Sequence, residues 1–406
     1  MPGHGGVADC DLFASAPYDV TELDGLDNLL CPSDVIAQAE AMCAAAFGAQ
    51  DSLMLTCGGT CGLHIAMRVL ADYGNRVAVW GNMHASFTWG CMLAGLECVY
   101  CADTEQLDRA LADAQVCAVC VTSPDYFGQC ADLAMLADAA HRHGKLLFVD
   151  AAHGAHFGLH PLLPERAERY ADLACVSMHK TLPVYGGGAL LQIMDKRMSA
   201  RARYWRNALH TTSPSYLTMA SMDYAREWAQ SQAKQAYGEL IERITQMRLL
   251  APFYRRESDD VTRVVITADG VDMYDIAMQL QARGIWVELA CDDAIVCITT
   301  PRNADKLDLL RDALGQCTCR PRIERALPKP CEQTDQDSGP VEWVELSRAV
   351  GRISAVPLGA YPPAVPIVRI GQRLNADTVQ WLMQAHHTFG LQSGRCAVFA
   401  TRQEEA

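Results

Sequence analysis

Three segments of this sequence carry side chains that could do chemistry together. Asp150 ends one apolar run, Lys180 follows another, and a glycine-rich stretch at 58–62 opens a helical pattern. A lysine that burial keeps partly neutral can attack a carbonyl group and form a Schiff base. A carboxylate favours the protonated form of a nearby heterocyclic nitrogen. Small residues at a helix start leave backbone N–H groups free to hold an anion.

A histidine adds a fourth element to this set. His84 opens a helical pattern after the apolar run 76–80, where its flat imidazole could stack on a planar ring. Each of these residues also has an ordinary structural interpretation as a glycine turn, a turn-capping aspartate or a helix-start histidine. An ordinary surface lysine is disfavoured at position 180, because its neighbours are small and apolar. Taken in order, the four features indicate one reactive site.

Alternating strand and helix patterns place these residues at one edge of a sheet. Short apolar runs predict strands at 76–80, 96–101, 116–122, 145–150, 172–177 and 188–193. Continuous apolar strands separated by helices predict an α/β fold with a mostly parallel central sheet and helices on both faces. Ligands bind at the carboxyl ends of such strands. The candidate residues follow these ends.

The patterns along the chain predict three parts. Residues 1–30 are predicted to be an N-terminal arm, and 31–255 a major domain whose first helix Ser33 caps. Residues 256–406 are predicted to be a smaller C-terminal α/β domain. Its predicted strands are 264–267, 286–289 and 295–299, and its predicted helices are 272–283 and 303–314.

Composition narrows the class of protein. The 406 residues include 34 Lys and Arg against 48 Asp and Glu, a formal charge of −14, which argues against nucleic-acid binding. We find no apolar run long enough to span a membrane and no secretory signal at the start. Together with 18 cysteines, this predicts a cytoplasmic protein with free thiols, with neither nucleic acid nor membrane as its partner.

Four of the cysteines have the spacing of a zinc ribbon. Cys98 and Cys101 form one pair, and Cys117 and Cys120 form the other. Both pairs lie in predicted buried strands, where side chains three residues apart point to opposite faces. We therefore predict structural cysteines and no metal site.

The longer motifs resemble those of a known family, the bacterial ornithine/lysine/arginine decarboxylases. These are pyridoxal-phosphate (PLP) enzymes with the aspartate-aminotransferase fold, fold type I. The resemblance rests on DVTELDGLD (19–27), CGGT (57–60), VTSP (121–124), VD (149–150), HGAHFG (153–158), SMHKT (177–181), TTSPSY (211–216), GRISA (351–355) and YPP (361–363).

The resemblance implies a role for each matching residue. Lys180 would hold the PLP aldehyde as a Schiff base, Asp150 would pair with the pyridine nitrogen, and His84 would stack on the ring. His153 would approach the ring hydroxyl. The other implied cofactor contacts are Gly59, Thr60, Cys61, Ser177 and His179, with Thr212 and Ser215 reaching the cofactor of a neighbouring subunit. A homodimer or larger homo-oligomer is therefore expected.

The implied reaction is decarboxylation of lysine, ornithine or arginine to the amine and CO2. His84 and Lys180 are both candidates to return the proton to the α-carbon. The sequence departs from the family's usual residues at Gly5, Ala85, Asp125, Ala151, Val356 and Gln372. At some of these positions the sequence lacks the acidic residue that would bind the positively charged end of the substrate's side chain. Asp125 is a candidate replacement for this partner.

Two alternatives to this function stay open at the level of sequence. One is a different PLP reaction on the same fold, such as transamination or side-chain lysis, because fold alone does not determine reaction type. The other is an impaired relative with a structural or regulatory role, which the changed substrate-side residues suggest. The matching Lys180, Asp150 and His84 argue against the second alternative.

Overall fold

A seven-stranded sheet organises the protein. The computed structural model describes residues 2–322, 328–334, 339–361, 365–385 and 387–400. The strands of the central sheet are β1 (Asp51–Leu55), β2 (Arg76–Trp80), β3 (Glu97–Cys101), β4 (Val116–Thr122), β5 (Leu146–Asp150), β6 (Leu173–Val176) and β7 (Ala189–Ile193). Their order is β1-β7-β6-β5-β4-β2-β3, and only β7 runs antiparallel to its neighbours. The predicted fold class is confirmed.

Helices cover this sheet and link it to the rest of the chain. They are α1 (Val35–Phe47), α2 (Gly58–Leu70), α3 (Ala85–Ala94), α4 (Thr104–Leu111), α5 (Leu133–Arg142), α6 (Met178–Thr181), α7 (Ser199–Leu209), α8 (Tyr216–Ser231), α9 (Ala233–Gln246), α10 (Met273–Gln281), α11 (Lys306–Leu314) and α12 (Ala376–Gln384). In the described parts of the chain, no helix combines the length and apolarity that crossing a bilayer requires.

Both faces of the sheet are buried, which explains why its strands are continuously apolar. On β4, Val119 and Val121 belong to one apolar cluster, whereas Ala118 and Cys120 belong to the cluster on the opposite face. Cys98 lies on β3 and Cys117 on β4, so both cysteine pairs of the zinc-ribbon spacing occupy strands, as predicted. No cluster of metal-ligating side chains occurs among the described residues.

The start of α1 differs from the prediction. Ser33 does not cap it, because the N-cap residue is Asp34 and its side chain makes no capping hydrogen bond. Instead, the carboxylate of Asp27 accepts hydrogen bonds from the backbone N–H groups of Ser33, Asp34, Ile36 and Ala37. Although burial raises the pKa of Asp27, these N–H groups outweigh it and hold the pKa at about 2.

The C-terminal part contains several smaller sheets. The strands β8 (Tyr254–Arg256), β9 (Arg263–Thr267), β10 (Leu289–Ala290) and β11 (Ile295–Ile298) form an antiparallel sheet in the order β10-β11-β9-β8. The strand predicted at 286–289 is wrong for its first three residues, and Trp286 is 76% exposed. The remaining strands are β12 (Glu332–Gln333), β13 (Val341–Glu345), β14 (Gly359–Ala360), β15 (Gln372–Arg373), β16 (Thr388–Phe389), β17 (Leu391–Gln392) and β18 (Arg395–Phe399).

The core does not divide at the predicted domain boundary. One apolar cluster contains Leu240 and Ile241 of α9 together with Ile266 of β9 and Leu280 of α10. A separate cluster, which includes Leu346, Leu358, Leu374 and Val398, lies further along the chain. The boundary between 255 and 256, and that of the N-terminal arm at residue 30, stay predictions.

Candidate active site

A cavity of about 820 Å³ opens where the parallel strands end. The segments that follow β1, β2, β4, β5 and β6 all contribute to its wall. The predicted site residues that line it are Gly59, Thr60, His84, Asp150, His153, Ser177, His179 and Lys180. The topology therefore brings together residues that lie more than a hundred positions apart in the sequence.

Lys180 lies on the short helix α6, directly after β6, and its amino group is within hydrogen-bond distance of a histidine. Its Nζ is 3.0 Å from Nε2 of His153. Burial lowers the pKa of Lys180, although the nearby Asp150 carboxylate opposes this shift. Because the charged form is disfavoured, more of the lysine is neutral at a given pH, as attack on a carbonyl carbon requires.

Asp150 is the last residue of β5 and is only 2% exposed. Burial raises its pKa, while the charge of Lys180 and a hydrogen bond from the Ala152 N–H to Oδ1 at 3.2 Å favour the ionised form. A buried carboxylate of this kind gains a strong interaction when a protonated nitrogen comes next to it. The carboxylate of Asp150 is therefore suited to pair with the protonated nitrogen of a bound heterocycle.

His84 is the N-cap residue of α3 and its ring is oriented by the helix. Its Nδ1 accepts a hydrogen bond from the backbone N–H of Ser86 at 3.1 Å, which places the proton of the neutral ring on Nε2. Burial, together with the charge of Lys180, lowers the pKa of His84 to about 4. The ring is therefore neutral near pH 7 and can offer a flat face to the cavity.

His153 is buried and its Nδ1 has no hydrogen-bond partner among the described residues. Burial and the charge of Lys180 hold its pKa well below the usual range. Its ring packs edge-on against Tyr126, with 4.8 Å between the ring centroids. A buried polar atom without a partner is costly, so Nδ1 indicates a place for an absent polar group.

The start of α2 forms a cradle for an anion. Gly58 and Gly59 open the helix, and the hydroxyl of Thr60 lies 3.0 Å from that of Ser86. A Cβ atom on Gly59 would collide with the hydroxyl of Ser177, so only glycine fits there. His179 donates from Nδ1 to the carbonyl of Gly188 at 2.9 Å, and it also lines the cavity.

These observations fit PLP as the group that the cavity holds. The cradle at α2 suits a phosphate, since backbone N–H groups and the helix dipole favour a dianion. Asp150 suits the ring nitrogen, Lys180 suits the aldehyde, and the unpartnered Nδ1 of His153 marks a further polar contact.

Three predicted residues lie outside the cavity wall. Cys61 is buried within α2, where burial raises the pKa of its thiol to about 12. Thr212 is exposed, and Ser215 caps α8 by accepting from the N–H of Thr218 at 3.2 Å. The side chain of Cys61 therefore does not line the cavity, and its predicted contact with the phosphate stays a prediction. The predicted reach of Thr212 and Ser215 into a neighbouring subunit stays a prediction.

The changed substrate-side residues have structural roles. One carboxylate oxygen of Asp125 accepts from the N–H groups of Phe127 and Gln129, at 2.8 and 2.9 Å, and so closes a turn. Gln372 donates to the carbonyl of Cys331 at 3.0 Å and accepts from the N–H of Arg369 at 2.8 Å. Asp125 also lines the cavity, so its role as a candidate partner for the substrate's distal cation stays a prediction.

Three further residues near the cavity, Tyr126, Glu288 and Arg263, were not predicted from the sequence. The Tyr126 hydroxyl donates to Oε1 of Glu288 at 2.9 Å, and Tyr126 lines the cavity. The charge of Glu288 raises the pKa of Lys180, which places this carboxylate within electrostatic range of the site. Glu288 is an acidic residue in the otherwise apolar run 285–289, and this could have marked it as a functional residue. The run was instead interpreted as an ordinary strand.

The partly buried His84 predicts a loss of stability in acid. The pKa of His84 is about 4 when folded, below the 6.5 of an exposed histidine. Between these values the unfolded chain binds a proton that the folded chain does not, so stability falls as the pH falls through this window. The loss is up to about 1.4 kcal/mol per pH unit, and the stability is fully present above pH 6.5. We predict that His84→Asn flattens this dependence, as urea unfolding would measure.

The matched control for this prediction is the exposed His143. His143→Asn should leave the pH dependence of unfolding as it is in the unmodified protein. If His84→Asn has the same slope as the control, the neutral state assigned to His84 in the folded protein is wrong.

Comparison with protein families gives matches over most of the chain. The model described as Orn/Lys/Arg decarboxylase, major domain, matches residues 14–267. The model described as Orn/Lys/Arg decarboxylase, C-terminal domain, matches residues 325–392. The first match includes every predicted site residue.

Curated relatives match along nearly the same length. An "Uncharacterized protein YaaO" of Bacillus subtilis (strain 168) is 28% identical, over 90% of this chain and 84% of its own. An arginine decarboxylase of the same organism is also 28% identical, over 90% and 84%. An arginine decarboxylase of Halalkalibacterium halodurans is 26% identical, over 95% of this chain and 89% of its own.

Solved structures share the fold at lower identity. Lysine decarboxylase A from Pseudomonas aeruginosa is similar over 98% of this chain and 77% of its own, with a TM-score of 0.78 and 18% identity. The Francisella novicida lysine decarboxylase LdcF is similar over 98% and 78%, with a TM-score of 0.75 and 16% identity.

Proposed function

Because this chain belongs to the Orn/Lys/Arg decarboxylase family of PLP-dependent amino-acid decarboxylases, we propose that it decarboxylates a basic amino acid, with arginine as the first candidate. Decarboxylation of a basic amino acid is the activity of the family. The choice of arginine is supported by relatives named arginine decarboxylase, at 25–28% identity. It is also supported by the position of one carboxylate, that of Glu288.

The roles of the cavity residues follow from their positions. Bound PLP would supply an electron sink for the bond that breaks as CO2 leaves. We propose that Asp150 holds a proton on the ring nitrogen and that His84 covers the ring face and excludes water. Backbone N–H groups at the start of α2, with Thr60, Ser177 and His179, would bind the phosphate.

Lys180 is the group we propose as the proton carrier to the α-carbon. Its Nζ lies 3.0 Å from Nε2 of His153, so a proton can pass along a hydrogen bond within the cavity. His84 is the weaker candidate, because a pKa of about 4 leaves it neutral and a poor acid near pH 7. Of the two candidates that the sequence left open, we therefore favour Lys180.

We propose that Glu288 binds the distal cation of the substrate. Tyr126 holds Oε1 of Glu288 at 2.9 Å and itself packs against His153 at the cavity. A planar guanidinium donates two parallel hydrogen bonds to a carboxylate, which a rounder ammonium group does not do. A carboxylate held by a cavity residue supplies the cation partner for which Asp125 was the sequence-based candidate.

The test is a substrate panel with Glu288→Gln. We expect the purified protein to convert arginine to agmatine and CO2, with lower kcat/KM for lysine and ornithine. Glu288→Gln should lower kcat/KM for arginine by about 10- to 100-fold, because a charge-assisted pair is lost. The PLP content should not change.

Glu242→Gln is the matched control, since Glu242 is an exposed acid on α9. It should keep the activity of the unmodified protein. Transfer of the amino group to a keto acid, or full PLP loading without turnover of any basic amino acid, would refute the proposed function. Equal kcat/KM in the two glutamate variants would refute the role of Glu288 alone.

We also propose a homodimer or larger homo-oligomer in which the active sites are shared. Thr212 is exposed and neither it nor Ser215 lines the cavity of its own chain. This supports a contact with a second copy. A monomer by light scattering at working concentration would contradict the proposal.

A further inference from the structure

His210 holds a backbone N–H group that lies just before the anion cradle. It follows the last residue of α7 and is 6% exposed. Its Nε2 accepts a hydrogen bond from the backbone N–H of Thr56 at 2.9 Å, and its Nδ1 donates to the carbonyl oxygen of Thr211 at 2.9 Å. Both ring nitrogens are therefore used, and the neutral ring carries its proton on Nδ1.

Thr56 is the residue at which the chain leaves the central sheet and enters the cradle. β1 ends at Leu55, and Cys57 is the N-cap residue of α2. The pairing of β1 with β7 also ends at Leu55, so the N–H of Thr56 lies beyond the last paired residue. His210 supplies the acceptor for this group from a distant part of the chain.

A second contact fixes the same turn. The N–H of Gly58 donates to the carbonyl oxygen of Gly187 at 2.8 Å. Gly187 has a φ of +88°, and a Cβ atom there would lie 2.7 Å from the carbonyl oxygen of Thr56, so only glycine fits. The backbone of 56–58 is therefore held at two points, by His210 and by Gly187.

We propose that His210 is a positioning residue, which shapes the start of α2 for the phosphate of PLP through its hydrogen bond with Thr56. This inference rests on the proposed function, in which that helix start binds the phosphate. His210 does not line the cavity, whereas Gly58, Gly59 and Thr60 do, so it acts through the backbone and not by contact with the cofactor. A turn that is already in its binding conformation loses less conformational entropy when the ligand binds. The contact with Thr56 therefore strengthens phosphate binding.

Two substitutions of His210 separate its contact with Thr56 from its contact with Thr211. The amide of glutamine reaches as far as Nε2 of histidine, so His210→Gln can still accept from the N–H of Thr56. The amide of asparagine reaches only as far as Nδ1. His210→Asn can therefore keep the contact with Thr211 but leaves the N–H of Thr56 without its partner. Both variants place a neutral amide in the same buried position.

PLP and pyridoxal provide the direct test, because pyridoxal has the same ring and aldehyde but no phosphate. Each would be titrated into the full chain after its cofactor has been removed, with the visible absorption of the bound ligand as the signal. We expect His210→Asn to raise the Kd of PLP about 10- to 100-fold, since a buried N–H group loses its partner, and to change the Kd of pyridoxal by less than about threefold. His210→Gln should keep both Kd values within about threefold of those of the unmodified protein.

The control is His160→Asn, because His160 also accepts from a backbone N–H group, that of Leu162 at 3.2 Å, but lies outside the cavity wall. It should leave both affinities unchanged. Equal weakening of PLP and pyridoxal by His210→Asn would overturn the proposal, since general structural damage does not distinguish the two ligands. Equal PLP affinity in the asparagine and glutamine variants, whether high or low, would overturn it as well.

The titrations also separate this proposal from the proposed function, because they do not depend on turnover. A protein that shows the expected difference between PLP and pyridoxal but decarboxylates no basic amino acid would count against the proposed function and not against the role of His210. An unmodified chain that takes up no PLP would overturn both.

Discussion

Replacing Lys180 by alanine is expected to abolish decarboxylation, by a factor of at least about 10⁴. Lys180 is the lysine in the cavity wall, its pKa is lowered by burial, and His153 lies within hydrogen-bond distance of its Nζ. Alanine removes both the amine that would hold PLP and the proposed proton carrier. Steady-state assays of CO2 release, with the visible absorption of bound PLP, would measure the two losses.

Lys234→Ala is a matched control for this substitution, because Lys234 is an exposed lysine on α9. It should have the activity and the colour of the unmodified protein. Turnover that survives in the Lys180 variant would mean that another group holds the cofactor, and the assignment of the site would be wrong.

Replacing Asp150 by asparagine is expected to reduce kcat by about 10²- to 10³-fold or more. Asparagine keeps the shape and one oxygen but removes the charge that would keep the ring nitrogen protonated. The effect should be large because Asp150 is 2% exposed and water does not screen its charge. The variant should retain its fold, since asparagine can still accept the hydrogen bond that Ala152 donates to Oδ1.

Asp138→Asn provides the comparison, since Asp138 is exposed on the outer helix α5. It removes the same charge far from the cavity and should leave kcat unchanged. A near-normal kcat in Asp150→Asn would count against a role for Asp150 in the chemistry, even if PLP still binds.

The central sheet was predictable because its strands are buried on both faces. Six of its seven strands follow continuous apolar runs, and their ends agree with the structure to within one residue. The missed strand, β1, is five residues long and begins with the polar residues Asp51 and Ser52, so its apolar run of three residues is too short to predict a strand.

Most of the candidate site was predictable because parallel strand ends meet at one edge. Eight of the predicted residues line one cavity, and the motifs that identified them are short and contiguous. Tyr126, Glu288 and Arg263 were not predictable in this way. Tyr126 lies in the turn at 125–128, Glu288 directly precedes β10 and Arg263 begins β9, so their connection depends on how distant segments of the chain pack together.

Cys61 illustrates the limit of a motif. It follows Thr60 in the glycine-rich stretch, but one further residue along a helix turns the side chain by about 100°, since a turn takes 3.6 residues. Thr60 therefore faces the cavity while Cys61 is buried against the core. The backbone N–H groups at this helix start carry the anion-binding character, whichever side chains are present.

The most direct test of the site is to find which amine holds PLP. The purified, PLP-loaded protein would be reduced with borohydride, digested, and its peptides sequenced by mass spectrometry. We expect the reduced cofactor on Lys180 and on no other lysine. Cofactor fixed to a different residue, or a protein that takes up no PLP at all, would contradict it.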